Sequence, residues 1–166
     1  MYLIDQHAAH ERVLFERIQE QQKRREVEVQ GLLQPLTVGL TTEQEERLAE
    51  NKEALDGYGF AIEPFGERTC LVRAAPVLLA GRDIAESVLS VLDSLDEAVS
   101  GDWREKIALS LACHGAVRAG QTLNDEEIRE LVRQLESASQ PRTCPHGRPT
   151  MVHLSSSQVE REFGRR

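Results

Sequence analysis

The stretch LIDQHAAHERVLFE, residues 3–16, is where the chain passes from strand to helix. Residues 2–5 read as a short buried strand, and Val13, Leu14 and Ile18 on a charged background continue as a helix to about Arg25. Asp5 stands at the junction, where its carboxylate can accept the first unpaired helix amides. The same helix carries His7, His10, Glu11 and Glu16. A core helix has no use for that density of ligand-type side chains, so the stretch needs partners from elsewhere in the chain.

Outward from this stretch the pattern alternates between short strands and amphipathic helices. VEVQGLLQPLTVGL alternates like a strand but contains Gly31 and Pro35, which predicts an edge strand or extended loop. TTEQEERLAENKEALDGYG predicts a surface helix opened by a Thr42 to Glu45 capping box and stopped at Gly57. FAIEPFGERTCLVRAAP predicts two strands around a turn at Pro64 to Gly66. Three helices follow: RDIAESVLSVLDSLDEAV ended by Gly101, WREKIALSLACHGAVRAG ended by Gly120, and NDEEIRELVRQLESA with acids in its first turn. SQPRTCPHGRPT is too rich in proline and glycine to be regular, MVHL predicts a short strand and SSSQVEREFGRR a capped helix. The order βαβ, α, ββ, ααα, β, α predicts an α+β fold of two lobes, with the chain's ends sharing one of them.

With 166 residues the chain is long enough to bury a core, and 40% hydrophobic and 29% charged residues fit a globular domain whose few aromatics leave the interior mostly aliphatic. The net charge of -8 argues against a surface that grips nucleic acid unaided, because that binding rests on clustered Lys and Arg. No apolar run approaches the ~20 residues of a membrane span, and the first residues lack the pattern of a signal peptide, so a cytoplasmic protein is expected. Cys70, Cys113 and Cys144 are odd in number and widely spaced, which suits reduced thiols serving as metal ligands or buried small residues.

Three segments carry ligand chemistry. His7 and Glu11 lie one helical turn apart on one face, with Asp5 just ahead and Glu16 beyond; an imidazole and a carboxylate at that spacing can share a metal ion, although a salt-bridged surface helix uses it too. In CPHG, Cys144 and His146 flank a rigid Pro145, and Gly147 allows the exit turn, so a thiolate and an imidazole can face one point. Cys113, beside His114 in LACHGAVRAG, is the weakest of the three, since small buried cysteines are common in helices. Together, His7, Glu11, Cys113, Cys144 and His146 exceed the four ligands of a closed zinc site, which points to two metals or one open site, and two metals suit in-line displacement at a phosphodiester.

On these residues the chain resembles the C-terminal domain family of MutL, the DNA mismatch-repair protein, in the branch of nicking endonucleases. DQHAAHERVLFE matches the family's DQHA-x2-E-x4-E motif at Asp5, Gln6, His7, Ala8, Glu11 and Glu16. ACHGAVRAG is similar to its ACR-type segment, with His114 in place of the usual basic residue. CPHGRPT carries its C-P-H motif, and Phe163 to Arg165 its terminal F-x-R motif. The resemblance implies a metal-dependent endonuclease that nicks duplex DNA in mismatch repair. Zinc would serve a structural or regulatory role, and manganese or magnesium would support cleavage. Asp5, His7 and Glu11 would be catalytic; His7, Glu11, Cys113, Cys144 and His146 would be metal ligands; Gln6, Glu16, Phe163 and Arg165 are motif members without a firm role. His10 falls at a variable position and is expected to be a solvent histidine.

The segment QGLLQPL is similar to the family's docking motif for the replicative sliding clamp, through Gln30, Leu33, Pro35 and Leu36. An extended segment with a leading glutamine and branched apolar side chains can lie in a hydrophobic groove, though an ordinary edge strand also fits. The resemblance further implies a homodimer, the partners MutS and sliding clamp, weak duplex-DNA binding by this domain alone, and nucleoid association when engaged on DNA. ATP would act only through a separate N-terminal domain absent from this chain, which makes the chain a fragment on this reading. The dimerisation lobe with the metal site is expected over 1–36 and 121–166, and an inserted regulatory lobe over 37–120. The alternative is a non-catalytic dimerisation and clamp-binding module with a structural zinc. A zinc hydrolase acting on small substrates lacks the His-Glu-x-x-His helix such enzymes use.

Overall fold

The structure, a computed structural model, describes residues 1–95, 102–118 and 120–164. It divides into two compact units, one of Met1–Glu16 with Ala116–Arg166 and one of Arg17–Gly115. Helices and two small antiparallel sheets make it an α+β fold, as the sequence pattern predicts.

In the first unit, strand β1 (Tyr2–Ile4) pairs antiparallel with β5 (Met151–His153), with Leu3 opposite Val152. The prediction of a buried strand is corrected here: Tyr2 is 65% and Leu3 53% exposed. A three-residue strand with a single strand neighbour has little surface against which to bury its side chains. Helix α1 (Gln6–Arg24) follows, and Asp5 caps it as expected: Oδ1 accepts the amides of His7 at 2.9 Å and Ala8 at 3.1 Å. Ala9 and Val13 of α1 pack on Leu131 and Leu135 of α6 (Asp125–Ser137), a small aliphatic core against which Leu123 and Met151 are half-buried. Asn124 and Glu127 form a reciprocal capping box at the start of α6, and Ser155 with Gln158 does the same for α7 (Ser156–Glu162).

In the second unit, β2 (Val29–Gly39), β3 (Ala61–Pro64) and β4 (Thr69–Pro76) form an antiparallel sheet in the order β2-β4-β3. β2 is the expected edge strand, and its pairing with β4 breaks between Gly31 and Leu36. The capping box shifts by one residue from its predicted place: Thr41 caps α2 (Thr42–Glu50), with the Gln44 side chain returning the bond. Asn51 splits the predicted single helix, and α3 (Lys52–Gly57) ends where glycine stops it. A single 3-10 turn (Val77–Leu79) leads to α4 (Ile84–Ser94), capped by Asp83, and then α5 (Trp103–Gly115). Val72, Leu79, Leu92, Ile107 and Leu111 are fully buried, so this unit has its own aliphatic core. The expected helix end at Gly101 lies outside the described residues. α5 stops at Gly115, five residues before the expected Gly120, because the backbone at Val117 bonds to histidines of α1 instead of extending the helix.

Candidate metal centre

Helix periodicity sets His7 one turn before Glu11, with Nε2 and Oε1 3.2 Å apart. Glu11 is only 5% exposed, so its carboxylate needs a compensating charge or donor. The other nitrogen of His7, Nδ1, lies 2.8 Å from the carbonyl oxygen of Val117. A carbonyl can only accept, so Nδ1 carries the proton, and the Nε2 of a neutral ring turns its lone pair towards the carboxylate. Two acceptors face each other there unless a proton or a cation stands between them. An imidazole with Nδ1–H on a main-chain carbonyl and Nε2 facing inward is the way metal-ligating histidines are held.

The second donor group arrives on the loop between α6 and β5. His146 Nδ1 is 3.3 Å from Glu11 Oε2, on the opposite carboxylate oxygen from His7, and Cys144 Sγ lies 4.0 Å from the same His146 nitrogen. Cys144 is 1% exposed. The loop is a tight turn in which the Cys144 amide donates to Arg148 at 2.7 Å and the Gly147 amide donates back to Cys144 at 2.9 Å. Gly147 has φ +81°, a conformation only glycine adopts without strain, which accounts for the glycine in CPHG. The Asp5 amide donates to Thr150 at 2.9 Å, tying the far side of the loop to the start of α1. One buried carboxylate, two imidazoles and a thiol, each at short range from the next, form a donor group whose chemistry fits a divalent metal ion.

Around this group Arg12 did not stand out in the sequence, whereas Glu16 and Gln6 did without a firm role and His10 as an expected solvent histidine. Arg12 is 6% exposed, and its Nε donates to the Thr143 carbonyl at 2.6 Å. Glu16, a motif member of uncertain role, accepts the Ser139 amide at 2.7 Å, the Ser139 hydroxyl at 2.8 Å and the Gln140 amide at 3.2 Å. Gln6 donates from Nε2 to the Gln121 carbonyl at 2.7 Å. His10 corrects the expectation of a solvent histidine: it is half-buried, and its Nδ1 accepts the Val117 amide at 3.0 Å. The available signal was helical spacing: Arg12 and Glu16 stand four apart on a face adjacent to that of His7 and Glu11.

Residues 1–123 match the family described as the MutL C terminal dimerisation domain. The chain belongs to that family. It is 42% identical to the DNA mismatch repair protein MutL of Azorhizobium caulinodans over all of the chain and 27% of that protein. It is 38% identical to the protein of the same name in Koribacter versatilis, over 99% of the chain and 26% of that protein. For the Clostridium tetani protein the identity is 39%, over 99% of the chain and 27% of the relative. The chain thus spans about a quarter of the length of the curated relatives it matches.

The remaining motif residues of this MutL C-terminal domain are carried by other elements of the chain. Cys113 and His114 lie in the last turn of α5, in the second unit. In the segment similar to a clamp-docking motif, Gln30 sits opposite Ala75 and Leu36 opposite Val72, while Leu33, within the break in pairing, is fully exposed. Phe163 caps the C-terminal end of α7 and is 76% exposed; Arg165 lies outside the described residues. Among the described residues no helix is long and apolar enough to cross a membrane.

Proposed function

We propose that this chain is the metal-dependent nicking endonuclease domain of a MutL-type mismatch-repair protein, acting as a homodimer. The observation that carries the reading is the buried Glu11 carboxylate between the inward nitrogens of His7 and His146, with Cys144 alongside. A surface ion-pair helix needs no buried acid, and a plain turn needs no buried thiol beside an imidazole.

His7, Glu11, Cys144 and His146 are the residues that would hold the ion, with Cys113 added on the strength of its motif. Zinc suits the thiol and imidazole donors, whereas manganese or magnesium would support cleavage. An ion held there would supply Lewis acidity at a phosphodiester. Asp5 fixes the first turn of α1 through Oδ1; in this reading its second oxygen takes the proton from an attacking water, and Glu11 keeps the donor set anionic. Gln30, Leu33, Pro35 and Leu36 would dock on a sliding clamp, which would bring duplex DNA to a chain of net charge -8 that binds it weakly alone. MutS would be a further partner. The dimer interface would lie within residues 1–36 and 121–166, and residues 37–120 would be regulatory.

The reading is tested by converting supercoiled plasmid to nicked circle with the full-length protein, manganese and clamp. Asp5→Asn and Glu11→Gln are each expected to lower the rate by at least about a hundredfold. Undiminished nicking by either variant sinks the assignment of that residue. A second reading, a dimerisation and clamp-binding module with a structural zinc, is favoured by the near-complete burial of Cys144. It requires metal-dependent stability with no cleavage at any manganese concentration.

A further inference from the structure

We propose that Arg12 and Glu16 are positioning residues that clamp the loop carrying Cys144 and His146 onto helix α1. The geometry singles out one peptide group, the link between Thr143 and Cys144. Its carbonyl oxygen accepts Arg12 Nε at 2.6 Å, and its amide, that of Cys144, donates to Arg148 at 2.7 Å. With both ends of that plane held, the direction of the Cα–Cβ bond of Cys144, and hence the place of its sulfur, is left little freedom. Arg12 is itself restrained. Its guanidinium is buried, packs over the Phe15 ring at 5.7 Å and lies 3.7 Å from the Glu16 carboxylate. Glu16 in turn grips the loop's first residues through the Ser139 amide and hydroxyl and the Gln140 amide. One face of α1 therefore offers Glu11 to the donor group, while the adjacent face, through Arg12 and Glu16, holds the 139–144 segment that delivers the other donors. A buried guanidinium placed on a main-chain carbonyl, and not on substrate or solvent, is spent on orientation.

The inference rests on the metal reading for its ligand role, and on hydrogen bonding alone for the clamp. It is tested on the full chain, wild type beside Arg12→Met, Arg12→Lys and Glu16→Gln. Two measurements are made: amide hydrogen exchange over 139–146 after chelation, and cobalt(II) titration followed by the d–d and thiolate charge-transfer bands. Arg12→Met is expected to speed exchange over 139–146 by about tenfold or more while α4 keeps its protection. The same variant is expected to weaken cobalt binding by about 10- to 100-fold with altered bands. Arg12→Lys, which keeps one donor, is expected to recover part of both. If Arg12→Met does not fold, Glu16→Gln carries the test, with faster exchange starting at 139–140. Wild-type exchange in the folded variants overturns the clamp. Wild-type cobalt affinity and bands in Arg12→Met overturn the ligand-positioning role even if the loop loosens. A wild-type chain that takes up no cobalt overturns the metal reading and the ligand role with it, while the exchange data alone decide the clamp.

Discussion

The side chain of Glu11 is a buried carboxylate set between two imidazoles. Its oxygens face His7 Nε2 at 3.2 Å and His146 Nδ1 at 3.3 Å from a buried position, and the His7 tautomer fixed by Val117 turns a lone pair towards it. Glu11→Gln replaces one acceptor with an amide donor and removes a buried charge. The metal-free variant is therefore expected to be more stable than wild type by about 1 kcal/mol near pH 8, while binding metal poorly. Thermal unfolding after chelation checks this; a lower melting temperature for the variant would mean that the carboxylate is there for structure. That His7 meets Glu11 was legible in helical spacing, and that Cys144 meets His146 in the tight Pro/Gly turn. Arg12 was not legible. Arginine on a charged helix reads as solvated surface, and only the loop arriving from residue 143 reveals that this one is buried. His10 was misread for the same reason, since its partner, the Val117 amide, is more than a hundred residues away.

Among the elements, those defined by local chemistry were legible, whereas those defined by long-range partners were not. The start of α6 is local: Asn124 accepts the Glu126 and Glu127 amides, Glu127 returns a bond to Asn124, and three acids occupy the first turn. Asn124→Ala is expected to cost about 1 kcal/mol. Urea unfolding is expected to show a lower midpoint at unchanged slope; an unchanged midpoint would mean that packing of Leu131 and Leu135 alone fixes that helix. The edge position of β2 was likewise written in Gly31 and Pro35, which weaken a central strand. The end of α5 was not local. Nothing between His114 and Gly120 forbids another helical turn, but the Val117 carbonyl and amide are taken by His7 and His10. The exposure of β1 was hidden too, because an apolar run of three reads as buried when its neighbours are unknown.

Across the whole molecule, the β1–β5 ribbon leaves Tyr2, Leu3, Ile4 and Val152 between 38% and 65% exposed, an apolar surface that favours a second copy in a chain of the MutL dimerisation family. Sedimentation equilibrium is expected to give the dimer mass for wild type and a shift towards monomer for Leu3→Asp; a dimer unaffected by that change would place the interface elsewhere. The first unit is also discontinuous: residues 1–16 must wait for 116–166, with the whole second unit in between. Asp5 bonds to Thr150, and Glu11 meets His146, across more than 130 residues. Contacts of that span close late, because a long intervening chain must first be ordered, whereas residues 17–115 form a contiguous stretch that can collapse earlier. In the order of synthesis, the acid and imidazole of α1 precede the thiol of Cys144 and the imidazole of His146 by more than 130 residues. A chain interrupted just before residue 146 thus holds all of residues 17–115 and yet lacks the completed donor group.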